Sequence, residues 1–167
     1  DFIIGSVHKM DNVDMGKMAF ASEAETEHII QQNLEYLWEL VDTCDFDSLG
    51  HVDLVKRYAA NHGIRVDLAE YQDQLMPILR RLAERGKALE INTSGIRQSP
   101  KEALPSVKIL KMFKEAGGRY LTVGSDAHLS KDVGADFDTA RQMALEAGFR
   151  HIALYEQRKP ILVSIED

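Results

Sequence analysis

Short apolar runs alternate with longer stretches of helical periodicity along the whole chain. The opening run DFIIGSV (1–7) is rich in β-branched and aromatic side chains, the composition of a strand, and a turn-like segment with Asp11, Asn12, Asp14 and Gly16 follows it. In EAETEHIIQQNLEYLWELVDTC (23–44), Ile30, Leu34, Leu37, Leu40 and Val41 recur at helical spacing and form one apolar stripe. Glu25, Glu27, Gln31 and Glu35 supply its polar side. Ser22, with Glu25 three residues on, matches the capping-box pattern that starts such a helix.

The alternation continues. FDSLGHVD (46–53) predicts a second strand, shorter and less apolar, and LVKRYAANHG a short helix stopped by Gly63. A longer helix is expected from Leu68 to Arg85, with Leu75, Ile78, Leu79 and Leu82 inward and Gly86 as its end. KALEINTS (87–94) reads as the third strand. Ser99 and Pro100 then read as N-cap and first turn of a helix through KEALPSVKILKMFKEAGG, in which Pro105 either delays the start or makes a kink. RYLTVGSD is the fourth strand, DFDTARQMALEAGF a helix and HIALYE (151–156) a fifth strand, while the tail QRKPILVSIED carries an apolar run of its own. Strand then helix, five times over and without a linker, predicts an α/β class with parallel strands; a barrel and a doubly wound sheet both satisfy it.

Length and charge narrow the class. A chain of 167 residues is one domain or a large piece of one, and 44% hydrophobic residues are enough for a core. The formal net charge of −7 argues against nucleic acid and anionic membrane surfaces as partners. No apolar run approaches the ~18 residues of a membrane span. Cys44, the single cysteine, excludes an internal disulfide and fits a reducing compartment, so a cytoplasmic location is expected. Because the chain opens inside an apparent core strand, it is expected to be a fragment of a larger domain.

In parallel α/β folds the functional groups gather where strands end. Here the first strand ends at His8, the second at His51, and the fourth, through GSDAH, at Asp126 and His128. The third ends with Glu90 and Asn92, and Arg97 follows. Any one of these has an ordinary reading as a loop residue bonded to backbone, and His28, His62 and His151 are read as structural. Convergence is what distinguishes His8, His51, Asp126 and His128, since a closing parallel sheet brings these ends to one rim. Neutral imidazoles and a carboxylate suit Zn²⁺, Mn²⁺ or Fe²⁺, which can activate water near neutral pH. Spaced i, i+2, Asp126 and His128 would point to the same side if the segment is extended, with Gly124 and Ser125 allowing a tight turn.

GSVHKM, FDSLGHVDLVKRY, LEINTSGIR, YLTVGSDAH and FRHIALYEQRKP, in that order, resemble the PHP (polymerase and histidinol phosphatase) family, and its histidinol-phosphatase branch in particular. The resemblance implies the C-terminal portion of a distorted (β/α)7 TIM-like barrel with parallel strands, residues 1–167 forming a single PHP-type domain that is incomplete at its N-terminus. It also implies two to three divalent transition metals (Zn, Mn or Fe) at the carboxyl rim. By position, His8 and His51 look like the single histidines that share one metal with a bridging glutamate. Asp126 looks like a ligand of the metal otherwise held by a His-x-His pair, and His128 like a ligand of the third. The chain departs from the pattern in having no His-x-His and no glutamate before His8 that fits the bridging role.

The implied function of the intact protein is metal-dependent hydrolysis of a small phosphomonoester, histidinol phosphate to histidinol plus phosphate, with this fragment alone inactive. Asp126 and His128 would be catalytic, Arg97 would clamp the phosphate, and Lys9 would offer it a point charge. The alternatives are a phosphoesterase acting on nucleotides or nucleic-acid ends, and a degenerate, non-catalytic PHP module. Missing strands would leave an open sheet edge and an uncovered apolar face, hence an expectation of association with itself or with the absent half.

Overall fold

Four strands lie parallel in one sheet, in the spatial order β1 (Ile4–Gly5), β4 (Ser48–Leu49), β5 (Ala88–Asn92) and β6 (Leu121–Gly124). This computed structural model describes residues 1–166; Asp167, last residue of the expected tail, lies outside the described residues. Between β1 and β4 come the hairpin of β2 (Lys9–Met10) and β3 (Val13–Asp14), then α1 (Glu23–Thr43). Helices α2 (Val55–Asn61) and α3 (Gln72–Glu84) connect β4 to β5, and α4 (Ser94–Arg97) and α5 (Val107–Glu115) connect β5 to β6. Helix α6 (Phe137–Glu146) leads to β7 (His151–Glu156) and β8 (Lys159–Ser164). The α/β class with a parallel sheet is as the alternation predicts.

The register sorts the sheet into two faces. Ser48 pairs with Ala88, Leu49 with Leu89, Leu89 with Leu121, Glu90 with Thr122, and Asn92 with Gly124. Because side chains alternate along a strand, Leu49, Leu89, Ile91 and Leu121 share one face. They are fully buried in a core with Leu34 and Leu37 of α1, Leu75 and Leu79 of α3, and Leu110 and Phe113 of α5. Burying each such side chain stabilises the fold by about 1.5–3 kcal/mol. The opposite face carries Ser48, Glu90, Asn92 and Thr122, all buried, with Ser48 Oγ and Thr122 Oγ1 2.7 Å apart.

Local chemistry accounts for most boundaries. Ser22 Oγ accepts the Glu25 N–H at 3.1 Å and starts α1. Asp11 and Asn12 both have positive φ, as the tight β2–β3 hairpin turn requires. The helix expected over 68–85 is divided: a 3-10 turn at Leu68–Glu70 precedes α3, and Asp67 caps that turn by accepting the Ala69 N–H. The Ser99–Pro100 start is overturned. Pro105 delays the helix instead of kinking it, and α5 begins at Val107. Strand β5 ends at Asn92 rather than Ser94, since 94–97 turn into a short helix.

The fifth strand differs most from expectation. β7 does not extend the parallel ladder; it pairs antiparallel with β8, from His151↔Ser164 to Glu156↔Lys159. The turn between them, Gln157–Arg158, has positive φ at both residues, the geometry that joins twisted strands by a two-residue loop. The apolar tail is therefore a strand. Arg158 fastens this hairpin to the start of β4: its Nη1 lies 2.7 Å from Asp45 Oδ2 and its Nε donates to Asp47 at 3.1 Å. Tyr155 Oη donates to the Asp47 carbonyl at 3.3 Å, and the Tyr155 ring sits 4.9 Å from that of Phe2. β1 is an end strand, and Phe2, Ile3 and Ile4 are exposed there, as are Leu154, Ile161, Leu162 and Val163 on the hairpin. Among the described residues no helix is long and apolar enough to cross a membrane.

Candidate metal centre

All four parallel strands end toward the same rim, and the polar residues singled out by the sequence follow those ends. His8 comes three residues after β1 and His51 two after β4. Their rings meet edge to face with centroids 4.9 Å apart. His51 is buried and His8 exposed. Burial, and then the positive charge His8 can carry, push the His51 imidazole down to about 4, against the opposing pull of its own backbone bond and of Asp126. At neutral pH His51 is therefore uncharged, with the free lone pair that coordination requires.

Asp126 follows β6 through Gly124 and Ser125. The extended geometry expected for Asp126 and His128 is not what the chain adopts: the strand stops at Gly124, and Asp126 has a left-handed φ of 46°. His128 turns back so that its Nδ1 lies 3.0 Å from the Asp126 carbonyl oxygen and 4.0 Å from its carboxylate. Its side chain is 83% exposed. Thus His8 and His51 touch, the charge of Asp126 is felt at His51, and His128 stands beyond Asp126 at the surface.

The two expected cationic residues are placed differently from one another. Arg97 directs its donors at the loop after β6: Nη2 to the Ser125 carbonyl at 2.6 Å, Nη1 to Asp136 at 3.1 Å, and Nε 3.7 Å from Asp132. With Thr93 Oγ1 donating to the Ala135 carbonyl, it pins the segment that carries Asp126 and His128. Lys9 is exposed in β2 beside His8.

Sequence reading passed over Arg57. It sits in the first turn of α2, directly after the β4 end, with Nη1 3.9 Å from Asp126 Oδ2 and 2.5 Å from Gln98 Oε1. The signal was its place six residues after His51, where a helix begins at the rim. Ser94 was also missed; its hydroxyl donates to Asn92 Oδ1 at 2.6 Å and lies 3.4 Å from Asp126 Oδ2. Glu90, placed by the sequence at the end of the third strand, is only 5% exposed. Burial raises its carboxyl above the usual range and the Asp126 charge adds to this, while the Asn92 amide and the His51 N–H oppose it.

The donor chemistry suits a divalent transition metal: two imidazoles in contact, one of them held neutral, with a carboxylate near. The shell is partial. Among the described residues no three His, Cys, Asp or Glu side chains converge closely enough to hold an ion, and a tetrahedral zinc site takes about four ligands.

Comparison with known proteins identifies the family. Residues 1–94 match the PHP domain. The histidinol-phosphatase of Lactococcus lactis is 32% identical over 165 residues, which cover 95% of this chain and 60% of the relative. A protein of Clostridium acetobutylicum named probable histidinol-phosphatase is 28% identical, covering 95% and 62%. The crystal structure of the Lactococcus lactis histidinol phosphate phosphatase, complexed with zinc, L-histidinol and phosphate, superposes with a TM-score of 0.76 at 28% identity, over 96% of this chain and 62% of that one. A solved Listeria monocytogenes relative, at 20% identity and a TM-score of 0.68, shares the fold. This chain thus spans about three fifths of the length of the curated relatives it matches. Matched over more than half of its residues, and with its polar strand ends at one rim, the chain belongs to the PHP domain family.

Proposed function

We propose that this chain forms part of a metal-dependent phosphomonoesterase acting on histidinol phosphate, in histidine biosynthesis in the cytoplasm. The observation that carries the reading is the His8–His51 ring pair at 4.9 Å, with His51 kept neutral by burial. The likeness to a histidinol phosphate phosphatase complexed with zinc, L-histidinol and phosphate supports the substrate and the metal class. His8, His51, Asp126 and His128 would hold two to three divalent ions together with residues from outside this chain. Such ions, when bound, supply Lewis acidity toward phosphate oxygens and a lowered pKa for water.

The chain's own residues would bind and orient. His51 offers a neutral nitrogen and His8 a second one beside it. Asp126 contributes negative charge at the rim, and its left-handed backbone is held by the Arg97-pinned loop. Arg57, the guanidinium nearest Asp126, is suited to grip two phosphate oxygens at once. Arg97, whose donors serve Ser125, Asp132 and Asp136, would act on the substrate through the loop it fixes. Lys9 would add positive charge beside His8, drawing an anionic ester toward the rim.

The test is elemental analysis of the full-length protein by mass spectrometry, followed by phosphate release from histidinol phosphate. Two to three transition-metal ions per chain and turnover of this ester, with a mononucleotide turned over poorly, are expected. Preferential turnover of the nucleotide would move the substrate class to nucleotides. No metal after supplementation would end the phosphatase reading and leave a non-catalytic PHP module.

A further inference from the structure

Strand β5 ends with Glu90 and Asn92 at alternate positions, and with Ser94, the first residue of α4, they join two ends of the rim. Glu90 Oε2 accepts the main-chain N–H of His51 at 3.0 Å and the Asn92 side-chain amide at 3.1 Å. Asn92 Oδ1 accepts in turn from the Ser94 N–H at 3.0 Å and the Ser94 hydroxyl at 2.6 Å. Ser94 Oγ is then 3.4 Å from the Asp126 carboxylate. All three residues are buried.

His51 has a φ of 27°, in the left-handed region that costs a side-chain-bearing residue of order 1–3 kcal/mol and persists only where its surroundings hold it. Its N–H bond to Glu90 is such a hold. A glycine makes room for the carboxylate that supplies it: a Cβ on Gly124 would stand 2.3 Å from Glu90 Oε1. Gly124 is the glycine of GSDAH, and its lack of a side chain lets the Glu90 carboxylate lodge against β6.

We propose that Glu90 is a positioning residue: through the His51 N–H it fixes the backbone of His51, and so the direction of an imidazole offered to the metal. Both of its hydrogen bonds go to one oxygen, Oε2, and both are acceptor roles. An amide oxygen in the same place can accept both, so the reach of the group matters and its charge does not. Asn92 fixes the orientation of Glu90, and the same amide ties the arrangement to Ser94 and Asp126. The proposal rests on the metal-binding reading for its consequence, but the backbone geometry it invokes is independent of metal.

The experiment crosses reach against charge in the full-length protein. Glu90→Gln keeps the length and removes the charge; Glu90→Asp keeps the charge and withdraws the oxygen by one methylene. The first readout is hydrogen exchange of the His51 amide without metal, by NMR. Wild type and Glu90→Gln should stay protected, and Glu90→Asp should exchange at least about tenfold faster, since a lost bond opens the site locally. The second readout is zinc chloride affinity by chelator competition: little changed in Glu90→Gln, and about 10–100-fold weaker in Glu90→Asp, the usual cost of losing a partner that orients a ligand. Where Glu90→Asp does not fold, Gly124→Ala displaces the same carboxylate from the other side and should give the same pair of losses.

Retention in Glu90→Asp with loss in Glu90→Gln would overturn the proposal in favour of a role for the charge. Equal loss in both variants, or no loss in either, would overturn it too. A wild-type protein that binds no zinc but shows the expected exchange pattern would sink the metal reading alone and leave the positioning of His51 standing.

Discussion

The β5 strand and the β1 edge with the β7–β8 hairpin are opposite departures from ordinary burial. On β5, Glu90 and Asn92 are buried beneath the rim, and their side-chain bonds run to His51, to each other and to Ser94. At the β1 edge and on the hairpin, Ile4, Leu154, Ile161 and Leu162 are about half exposed, at 49%, 55%, 48% and 49%. A buried carboxylate is tolerated only when partnered, so the first departure is local and specific. An exposed apolar strand has no such accounting; it marks surface that another element can cover. One region is organised around what it holds. The other is organised around what it can meet.

Substitutions sharpen that contrast. The largest effect is expected for Asp126→Asn in the full-length protein, where, under the proposed metal-binding role, loss of the carboxylate charge should lower histidinol phosphate turnover by at least about 100-fold, with the fold retained by circular dichroism. Turnover near wild type would remove Asp126 from the site. Asn92→Leu should destabilise the domain by about 1–3 kcal/mol in urea unfolding, because the Ser94 hydroxyl and the Glu90 carboxylate each lose a buried partner. An unchanged midpoint would mean that Glu90, Asn92 and Ser94 do not depend on one another for buried hydrogen bonds.

Acid should loosen the hairpin. The Asp45 carboxyl is held down to about 2, first by the Arg158 hydrogen bonds. At Asp47 burial raises the pKa, but the Arg158 and Ile3 bonds outweigh it and the net direction is downward. Lowered folded-state values contribute stability that is present above the ordinary value of 3.8 and lost as pH falls through about 2. Hydrogen exchange of β7 and β8 should therefore accelerate between those values, and Arg158→Ala should bring the acceleration to neutral pH. The smallest effect on stability belongs to Ile161→Thr with Leu162→Thr on β8: within about 0.5 kcal/mol, as for surface changes generally. Their concentration-dependent association by light scattering, if present in the parent chain, should fall.

How much of this was legible in the sequence depended on the range of the physics involved. The α1 stripe and its Ser22 cap are set by residues within one turn of each other, and were read correctly. The strand ends were read less closely: β1 stops at Gly5 and β4 at Leu49, three and two residues before His8 and His51. The β7–β8 pairing was hidden: HIALYE reads equally as one more parallel strand, and the turn residues Gln157 and Arg158 are not the Asn and Gly that usually signal a positive-φ turn. Arg57 was hidden by its helical setting, since only the fold brings it within 3.9 Å of Asp126, 69 positions later. Glu90 was visible as a polar residue in a strand, but the room made for it by Gly124 is a contact between two strands that no local pattern records.

The Arg158 latch has a kinetic consequence. Its bonds to Asp45 and Asp47 join residues 113 and 111 positions apart, whereas the β4–β5–β6 sheet and its helices are built from shorter closures. Contacts that close so long a loop form late, after the entropy of closure has been met by the rest of the domain. The latch is therefore expected to be absent from the folding transition state, so that Arg158→Ala should quicken unfolding while leaving the refolding rate nearly as it was.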